Sequence, residues 1–146
     1  MSPKHAGKGG AYLLVLRLDA AEDIKVGALG SLYFPKGTYV YAGSALTSLE
    51  SRVARHFSME KRMHWHIDHL RAKARPVEAL VLRSQDDLEC MINNMVGRME
   101  GARPFAPGFG SSDCCCSTHL HILDRKCLPR LEGFFPERLR PEKLPR

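Results

Sequence analysis

The sequence of 146 residues has no long apolar run and no internal repeat. No stretch reaches the roughly 18–20 apolar residues that a membrane-spanning helix needs, so we expect no transmembrane segment. Residues 1–5 are basic and are followed by glycines, without the apolar core of a secretory signal. The sequence therefore predicts an intracellular, cytoplasmic protein.

Aromatic residues are also scarce, at 8% with a single tryptophan, but hydrophobic residues as a whole reach 44%. That fraction excludes wholesale disorder, and the length suits one domain that buries its own core. We expect a flexible basic arm over residues 1–9, a single domain over 10–135 and a Pro/Arg-rich tail over 136–146.

Acidic residues are fewer than basic ones, 16 against 22, which leaves a net charge of +6. A basic surplus on a small domain favours a polyanionic partner, most often a nucleic acid. The five cysteines are odd in number and three are consecutive, which excludes a secreted disulfide framework. In a reducing compartment they are buried thiols or metal ligands.

Hydrophobic periodicity predicts an α/β (α+β) domain with a small mixed or antiparallel central sheet flanked by helices. Residues 47–50 and 84–87 resemble capping boxes that open two of the helices. Cys90, beside the apolar stripe of the last helix, is interpreted as a small hydrophobe. The predicted strands cover residues 11–18, 38–42, 77–82 and 119–123, and the predicted helices begin near 49, 63 and 88. The connection over residues 26–35 is expected to be irregular, with room for a short edge strand.

One set of side chains suits phosphodiester hydrolysis. Arg52 and His56 are four residues apart and share one helix face, while Glu89 lies at the start of a later helix. A carboxylate can hold Mg²⁺, an arginine can stabilise charge developing on a phosphate, and a tyrosine such as Tyr41 or a histidine can deprotonate water. Together these are the parts of a metal-assisted phosphodiester hydrolase.

The phrases Gly10-Ala11-Tyr12 and Tyr41-Ala42-Gly43 resemble the paired motif of the GIY-YIG nuclease superfamily. The resemblance implies that Tyr12 and Tyr41 are catalytic and that Arg52 is the catalytic arginine. It further implies that His56 matches a histidine found in some members and that Glu89 is the ligand of Mg²⁺ or Mn²⁺.

Further phrases resemble one subfamily, the domain-of-unknown-function 123 family, whose members occur alone or fused to endonuclease III-type DNA glycosylases. The similarity extends over roughly residues 10–123 and rests on segments 37–45, 64–68, 89–90, 108–110, 112–114 and 119–120. The resemblance implies a nuclease that cleaves DNA, with a role in repair alongside DNA glycosylase-type proteins. The superfamily's downstream asparagine has no clear match, which keeps open a catalytically degenerate module that only binds nucleic acid.

A second set consists of histidines, cysteines and carboxylates. Cys114, Cys116 and His119 have a C-x-C-x₂-H spacing, and thiolate and imidazole donors suit Zn²⁺. His64 or His66 could join them in space and close a tetrahedral site. The cysteine segment is therefore either a metal site or a buried structural loop, and a Cys/His metal-binding protein is a further alternative function. The candidates for this second site are His64, His66, Asp68, Asp113, Cys114, Cys116 and His119.

Basic residues beside the candidate catalytic helix are expected to contact flanking phosphates of a bound nucleic acid. Phosphate contacts position a strand without reading its sequence. The candidates are Arg55, Lys61 and Arg62.

Overall fold

The computed structural model of the chain describes residues 8–59, 62–112 and 114–143. Two residues proposed from the sequence, Lys61 and Asp113, lie outside the described residues, as do residues 1–7 of the expected arm.

The centre of the molecule is a six-stranded sheet in which every neighbouring pair is antiparallel. The strands predicted at residues 11–18 and 38–42 are neighbours in this sheet, with Tyr12 opposite Gly43. In spatial order the strands are β6 (Ala102–Pro104), β7 (Leu120–Leu123), β4 (Gly37–Ala45), β1 (Gly10–Leu18), β5 (Arg75–Arg83) and β8 (Glu137–Leu139).

Helices cover both faces of this sheet, because alternate residues of its inner strands are apolar on both sides. On one face, Leu14 and Leu16 pack with Val53 of α1 (Leu49–Phe57) and Ile67 of α2 (His66–Arg71). On the other, Leu13 and Val15 pack with α3 (Glu89–Gly97) and α4 (Cys127–Glu132). The mixed α+β class and the helix-flanked antiparallel sheet are confirmed. None of the described helices has the length and apolar character needed to cross a membrane.

The connection between β1 and β4 is more regular than the sequence predicts. It forms a separate hairpin of β2 (Glu22–Lys25) and β3 (Ser31–Phe34), around a single 3₁₀ turn at Gly27–Leu29. Ile24 and Phe34 of this hairpin are buried in the cluster under α2. The short helix α4 is likewise not predicted, since its six residues are too few to show a helical period.

Both expected capping boxes are absent. Helix α1 begins at Leu49 without a side-chain hydrogen bond from Ser48, and Glu50 pairs with Arg83 of β5. In the segment 84–87, Ser84 Oγ accepts from the backbone N–H of Asp86, so this segment is a turn before α3. Tertiary ion pairing and turn formation displace the local capping interaction in these two places.

The segment that the sequence sets apart as a tail contributes to the sheet. Strand β8 pairs with β5, with Glu137 opposite Val81, and Arg83 donates to both carboxylate oxygens of Glu137. A second 3₁₀ turn, Pro141–Lys143, follows.

A buried carboxyl group beneath α4 makes the stability of the fold sensitive to pH. Glu78 of β5 is 2% exposed, and burial followed by the neighbouring Glu132 raises its pKa to about 7. The folded protein therefore keeps a proton that the unfolded chain releases, so stability falls as pH rises from about 4.5 through 7. We expect Glu78→Gln to raise the free energy of unfolding at pH 8 by roughly 1–3 kcal/mol, with little effect at pH 4.

Urea titrations at the two pH values measure this difference. Glu100→Gln, at an exposed position, is the matched control. Equal effects of Glu78→Gln at pH 4 and pH 8 would contradict the prediction.

Candidate functional site

A tyrosine and a histidine form a buried pair between β1 and α1. Tyr12 Oη lies 2.7 Å from Nε2 of His56, and both residues are 1% exposed. The tyrosine ring lies against Gly43, where a Cβ would come within 2.5 Å of Tyr12 Oη. Only glycine leaves room for the ring at this point, so the last residue of the Tyr41-Ala42-Gly43 phrase serves Tyr12 directly.

Tyr41 of β4 adjoins this pair. Its ring centroid is 6.1 Å from that of His56 in an edge-on arrangement. Burial raises the pKa of Tyr12, with Tyr41 adding to the effect, and burial followed by the charge of Glu89 raises the pKa of Tyr41. Both phenols are therefore protonated at neutral pH, and the tautomer of the imidazole decides whether Tyr12 donates to or accepts from His56 Nε2.

Arg52 lies one helical turn before His56 and is held from two sides. Its Nη1 donates to the carbonyl of Ser44 over 2.9 Å, and its guanidinium carbon is 4.7 Å from the centroid of the Trp65 ring. Its positive charge opposes the rise in the pKa of Tyr12 and adds a small part to the lowering of the pKa of Glu89. Arg52 therefore acts electrostatically on both the tyrosine–histidine pair and the carboxylate.

Glu89 approaches from the other face of the sheet, at the first residue of α3. Its Oε1 accepts from Ser44 Oγ over 2.8 Å, and its Oε2 is 2.9 Å from Nδ1 of His119. Burial alone would raise the pKa of Glu89, but the contacts with His119 and Ser44 outweigh it, so the pKa is lowered. The group is a carboxylate at neutral pH, with a side chain 26% exposed and one lone pair left on each oxygen. A single carboxylate of this kind can bind Mg²⁺, whose other ligands are then water molecules and oxygens of the substrate phosphate.

Three cysteines and one histidine converge beside Glu89 and could hold a metal ion. The Sγ atoms of Cys90, Cys114 and Cys116 and a ring nitrogen of His119 all lie within 4.8 Å of one another. Cys114 Sγ is 3.2 Å and Cys90 Sγ is 3.9 Å from Nε2 of His119. Sulfur and imidazole donors favour Zn²⁺ over Mg²⁺.

The histidine–carboxylate part of the second predicted site does not join this cluster. His66 Nδ1 accepts from the backbone N–H of Gly110 over 2.9 Å, and the His64 ring lies against Trp65. Asp68 is fully buried and accepts from both Nη atoms of Arg55 and from the backbone N–H groups of His64 and Trp65. Asp68 therefore holds the start of α2. The fourth position of the cluster, for which the sequence suggests His64 or His66, is taken by Cys90.

The candidate phosphate-binding residues differ in their surroundings. Arg55 is committed to Asp68 and to the carbonyl of Arg62, and it also lies over the Trp65 ring at 4.3 Å. Arg62 has an exposed side chain.

Comparison with protein families identifies the chain. The family model for the domain of unknown function DUF123 matches residues 11–137, which is most of the sequence. The chain belongs to the DUF123 family. Comparison with curated proteins and with solved structures gave no match.

In this DUF123 chain, two site residues escape sequence reasoning. Cys90 was interpreted as a small hydrophobe because it lies beside an apolar stripe, yet its thiol joins those of Cys114 and Cys116. Ser44 lies within the family-like segment 37–45, which gives it no role of its own, but it links Arg52 to Glu89. The position of Cys90 directly after Glu89 is a sequence signal that it lies near the site. No sequence pattern, however, predicts that two cysteines 24 residues apart, Cys90 and Cys114, come into contact.

Proposed function

We propose that the protein hydrolyses phosphodiester bonds of a nucleic acid, specifically DNA, as the resemblance of its motifs to GIY-YIG nucleases implies. The observation that supports this most is the 2.7 Å hydrogen bond between Tyr12 and His56, with Arg52 and Glu89 adjoining. A proton acceptor, a fixed cation and a carboxylate are the three groups that such a hydrolysis requires.

His56 is the proton acceptor in this proposal, acting through Tyr12. As a water oxygen attacks phosphorus, its proton passes to Tyr12 Oη while the phenolic proton moves to Nε2 of His56. The bond from phosphorus to the leaving oxygen breaks, and the leaving oxygen takes a proton from solvent. Burial of both phenols suits this relay, because it keeps the Tyr12 oxygen protonated until a water is deprotonated.

Arg52 stabilises the negative charge that builds on the phosphate oxygens. Its hydrogen bond to the Ser44 carbonyl and its position over Trp65 preorganise the guanidinium, so it needs little rearrangement during the reaction. Trp65 is thereby a support for the cation, in addition to its place at the start of α2.

Glu89 is the residue that would hold Mg²⁺ or Mn²⁺. Such an ion, when bound, would neutralise charge on the scissile phosphate. The net charge of +6 and the exposed Arg62 support a polyanionic substrate. A role in DNA repair and an association with DNA glycosylase-type proteins rest on the family resemblance alone.

Cleavage of a nucleic-acid panel tests the proposal. The panel contains single strands, duplex, flaps, nicked duplex, abasic-site duplex and RNA, each with Mg²⁺, Mn²⁺ or chelator. We expect metal-dependent cleavage by the wild type and a loss of about 10²-fold or more in His56→Gln, because the proton acceptor is removed.

His69→Gln, on α2 and outside the tyrosine–histidine pair, is the matched control and should cleave normally. Cleavage that survives unchanged in His56→Gln would point to a contaminant or to another site. Salt-dependent binding without cleavage would support the degenerate nucleic-acid-binding module instead.

A second proposal rests on the Cys/His cluster: Cys90, Cys114, Cys116 and His119 bind Zn²⁺. Three thiolates and one imidazole are a complete tetrahedral ligand set, and such closed sites are structural.

A further inference from the structure

We propose that Glu89 is the positioning residue of a structural zinc site, so that metal loading sets the geometry of the candidate hydrolytic site. That Glu89 positions a zinc ligand is argued from the Cys/His cluster itself. That zinc affects the candidate hydrolytic site, formed by Tyr12, Tyr41, Arg52, His56 and Glu89, rests on the proposed function, since Glu89 belongs to both sites.

The separations within the cluster suit a tetrahedral ion. Ligand distances of about 2.3 Å for sulfur and 2.0–2.1 Å for nitrogen place sulfur and nitrogen ligands about 3.6 Å apart. The observed distances from His119 Nε2 to Cys114 Sγ and Cys90 Sγ, 3.2 and 3.9 Å, bracket this value. For these two pairs, binding requires shifts of a few tenths of an ångström. The remaining pairs lie within 4.8 Å of one another, so closing them onto one ion requires movements of at most about 1 Å.

The orientation of His119 points to the role of Glu89. Its ring is fully buried, with Nε2 facing the thiols and Nδ1 2.9 Å from Glu89 Oε2. A carboxylate at this distance electrostatically favours the tautomer protonated on Nδ1, which leaves the Nε2 lone pair for the metal. Metal-binding histidines are commonly oriented by a carboxylate in this way.

The same contacts tie the cluster to the candidate hydrolytic site. Glu89 Oε1 accepts from Ser44, whose carbonyl holds Arg52. The backbone N–H of His119 donates to the carbonyl of Phe109. Cys114 and Cys116 lie in the loop between β6 and β7, whereas Cys90 belongs to α3. A metal ion that joins these cysteines would fix Glu89 and the loop relative to each other.

The loop between β6 and β7 also lies against Tyr41, whose ring adjoins the tyrosine–histidine pair. Gly110 has a positive φ of 66°, and a Cβ there would come within 2.7 Å of the Tyr41 ring. Its N–H donates to His66 Nδ1. Loss of the metal would therefore loosen both the Glu89 side and the Tyr41 side of the candidate hydrolytic site.

Metal content and spectroscopy test the site. Wild-type protein, purified under reducing conditions, should contain near one zinc ion per chain by elemental analysis. Cys114→Ser and Cys116→Ser should lose most of it, whereas Cys115→Ser should keep it, because Cys115 is exposed and outside the cluster. Equal losses in Cys115→Ser and Cys114→Ser would overturn the assignment of ligands.

Because a cysteine variant could fail to fold, the wild type also provides a direct measurement. Protein refolded with Co²⁺ should show sulfur-to-cobalt charge-transfer bands and the intense visible bands of a tetrahedral ion. X-ray absorption of the zinc form should fit three sulfurs at about 2.3 Å and one nitrogen. Absence of these bands together with a zinc-free wild type would overturn the site.

Glu89 variants test the positioning role. We expect Glu89→Ala to weaken zinc binding by about 10–100-fold in competition with a chromophoric chelator, and Glu89→Gln to weaken it less, because its amide oxygen can still accept from Nδ1. The cobalt bands of Glu89→Ala should shift, which a merely structural role would not produce. Asp86→Asn is the matched control. Zinc affinity and cobalt bands unchanged in Glu89→Ala would overturn the role.

Failure of this inference and failure of the proposed function give different results. Zinc-loaded protein that cleaves nothing, with Glu89→Ala still weakening zinc binding, refutes the hydrolase and retains the positioning role. Zinc-free protein that cleaves with Mg²⁺ refutes the zinc site alone. Zinc removal that leaves cleavage unchanged refutes the coupling.

Discussion

Replacing Arg52 with alanine is expected to lower the rate of phosphodiester cleavage by about 10²–10³-fold, the usual cost of removing one preorganised group that stabilises transition-state charge. The guanidinium is held by the Ser44 carbonyl and the Trp65 ring, so its position does not depend on the substrate. Single-turnover cleavage at saturating substrate measures the effect and separates it from a loss of binding.

Arg52→Lys distinguishes geometry from charge. Lysine keeps the charge but not the planar fork that reaches both Ser44 and a phosphate, so most of the loss should remain. Arg98→Ala, at an exposed position after α3, is the matched control for the loss of one positive charge. Wild-type cleavage rates in Arg52→Ala would remove Arg52 from the site.

Asp68→Ala is expected to lower the free energy of unfolding by roughly 2–4 kcal/mol, which corresponds to about 5–15 °C in Tm for a domain of this size. Asp68 is fully buried and its partner Arg55 is 28% exposed. Removal of the carboxylate leaves the Arg55 guanidinium and the N–H groups of His64 and Trp65 without this acceptor. Chemical denaturation at pH 7 measures the loss.

The pH dependence of this loss tests its electrostatic origin. Burial would raise the pKa of Asp68, but hydrogen bonds from Arg55 and from the N–H groups of Trp65 and His64 lower it to about 2. A lowered carboxyl pKa stabilises the fold above the unfolded value and loses that effect as pH falls toward 2. The difference between wild type and Asp68→Ala should therefore shrink between pH 4 and pH 2.

A double-mutant cycle isolates the pair. In an Arg55→Met background, Asp68→Ala should cost less than in the wild type, because the ion pair is already lost. Equal costs in both backgrounds would show that the N–H bonds at the start of α2 account for the effect.

Much of the fold follows from local patterns. The apolar run of β1 and the β-branched, aromatic run of β4 predict two strands, and they pair antiparallel as expected. The spacing of Leu49, Val53 and Phe57 predicts the buried stripe of α1. Leu49 and Val53 are fully buried, and Phe57 is partly buried against the same cluster. Such patterns are readable because side-chain direction repeats with the period of the element.

The hairpin β2–β3 and helix α4 lie beyond such patterns. The two strands of the hairpin have four residues each and α4 has six. These elements are stabilised by burying a few side chains against the sheet, as Phe34 and Leu131 do. Helical spacing places Met91 on the apolar stripe of α3, yet its side chain is 52% exposed. Spacing predicts which face of a helix is apolar, but the neighbouring elements decide how much of that face is buried.

In the candidate site, too, local patterns predict some features and the tertiary structure decides the others. The residue types and order of Tyr12, Tyr41, Arg52, His56 and Glu89 are visible in the sequence, since motif and helix spacing are local properties. The tertiary structure alone decides that Asp68 pairs with Arg55 and not with a metal, and that Cys90 faces Cys114. These contacts join distant segments, and their partners are set by how α2 and α3 pack on opposite faces of the sheet, which no single-segment pattern encodes.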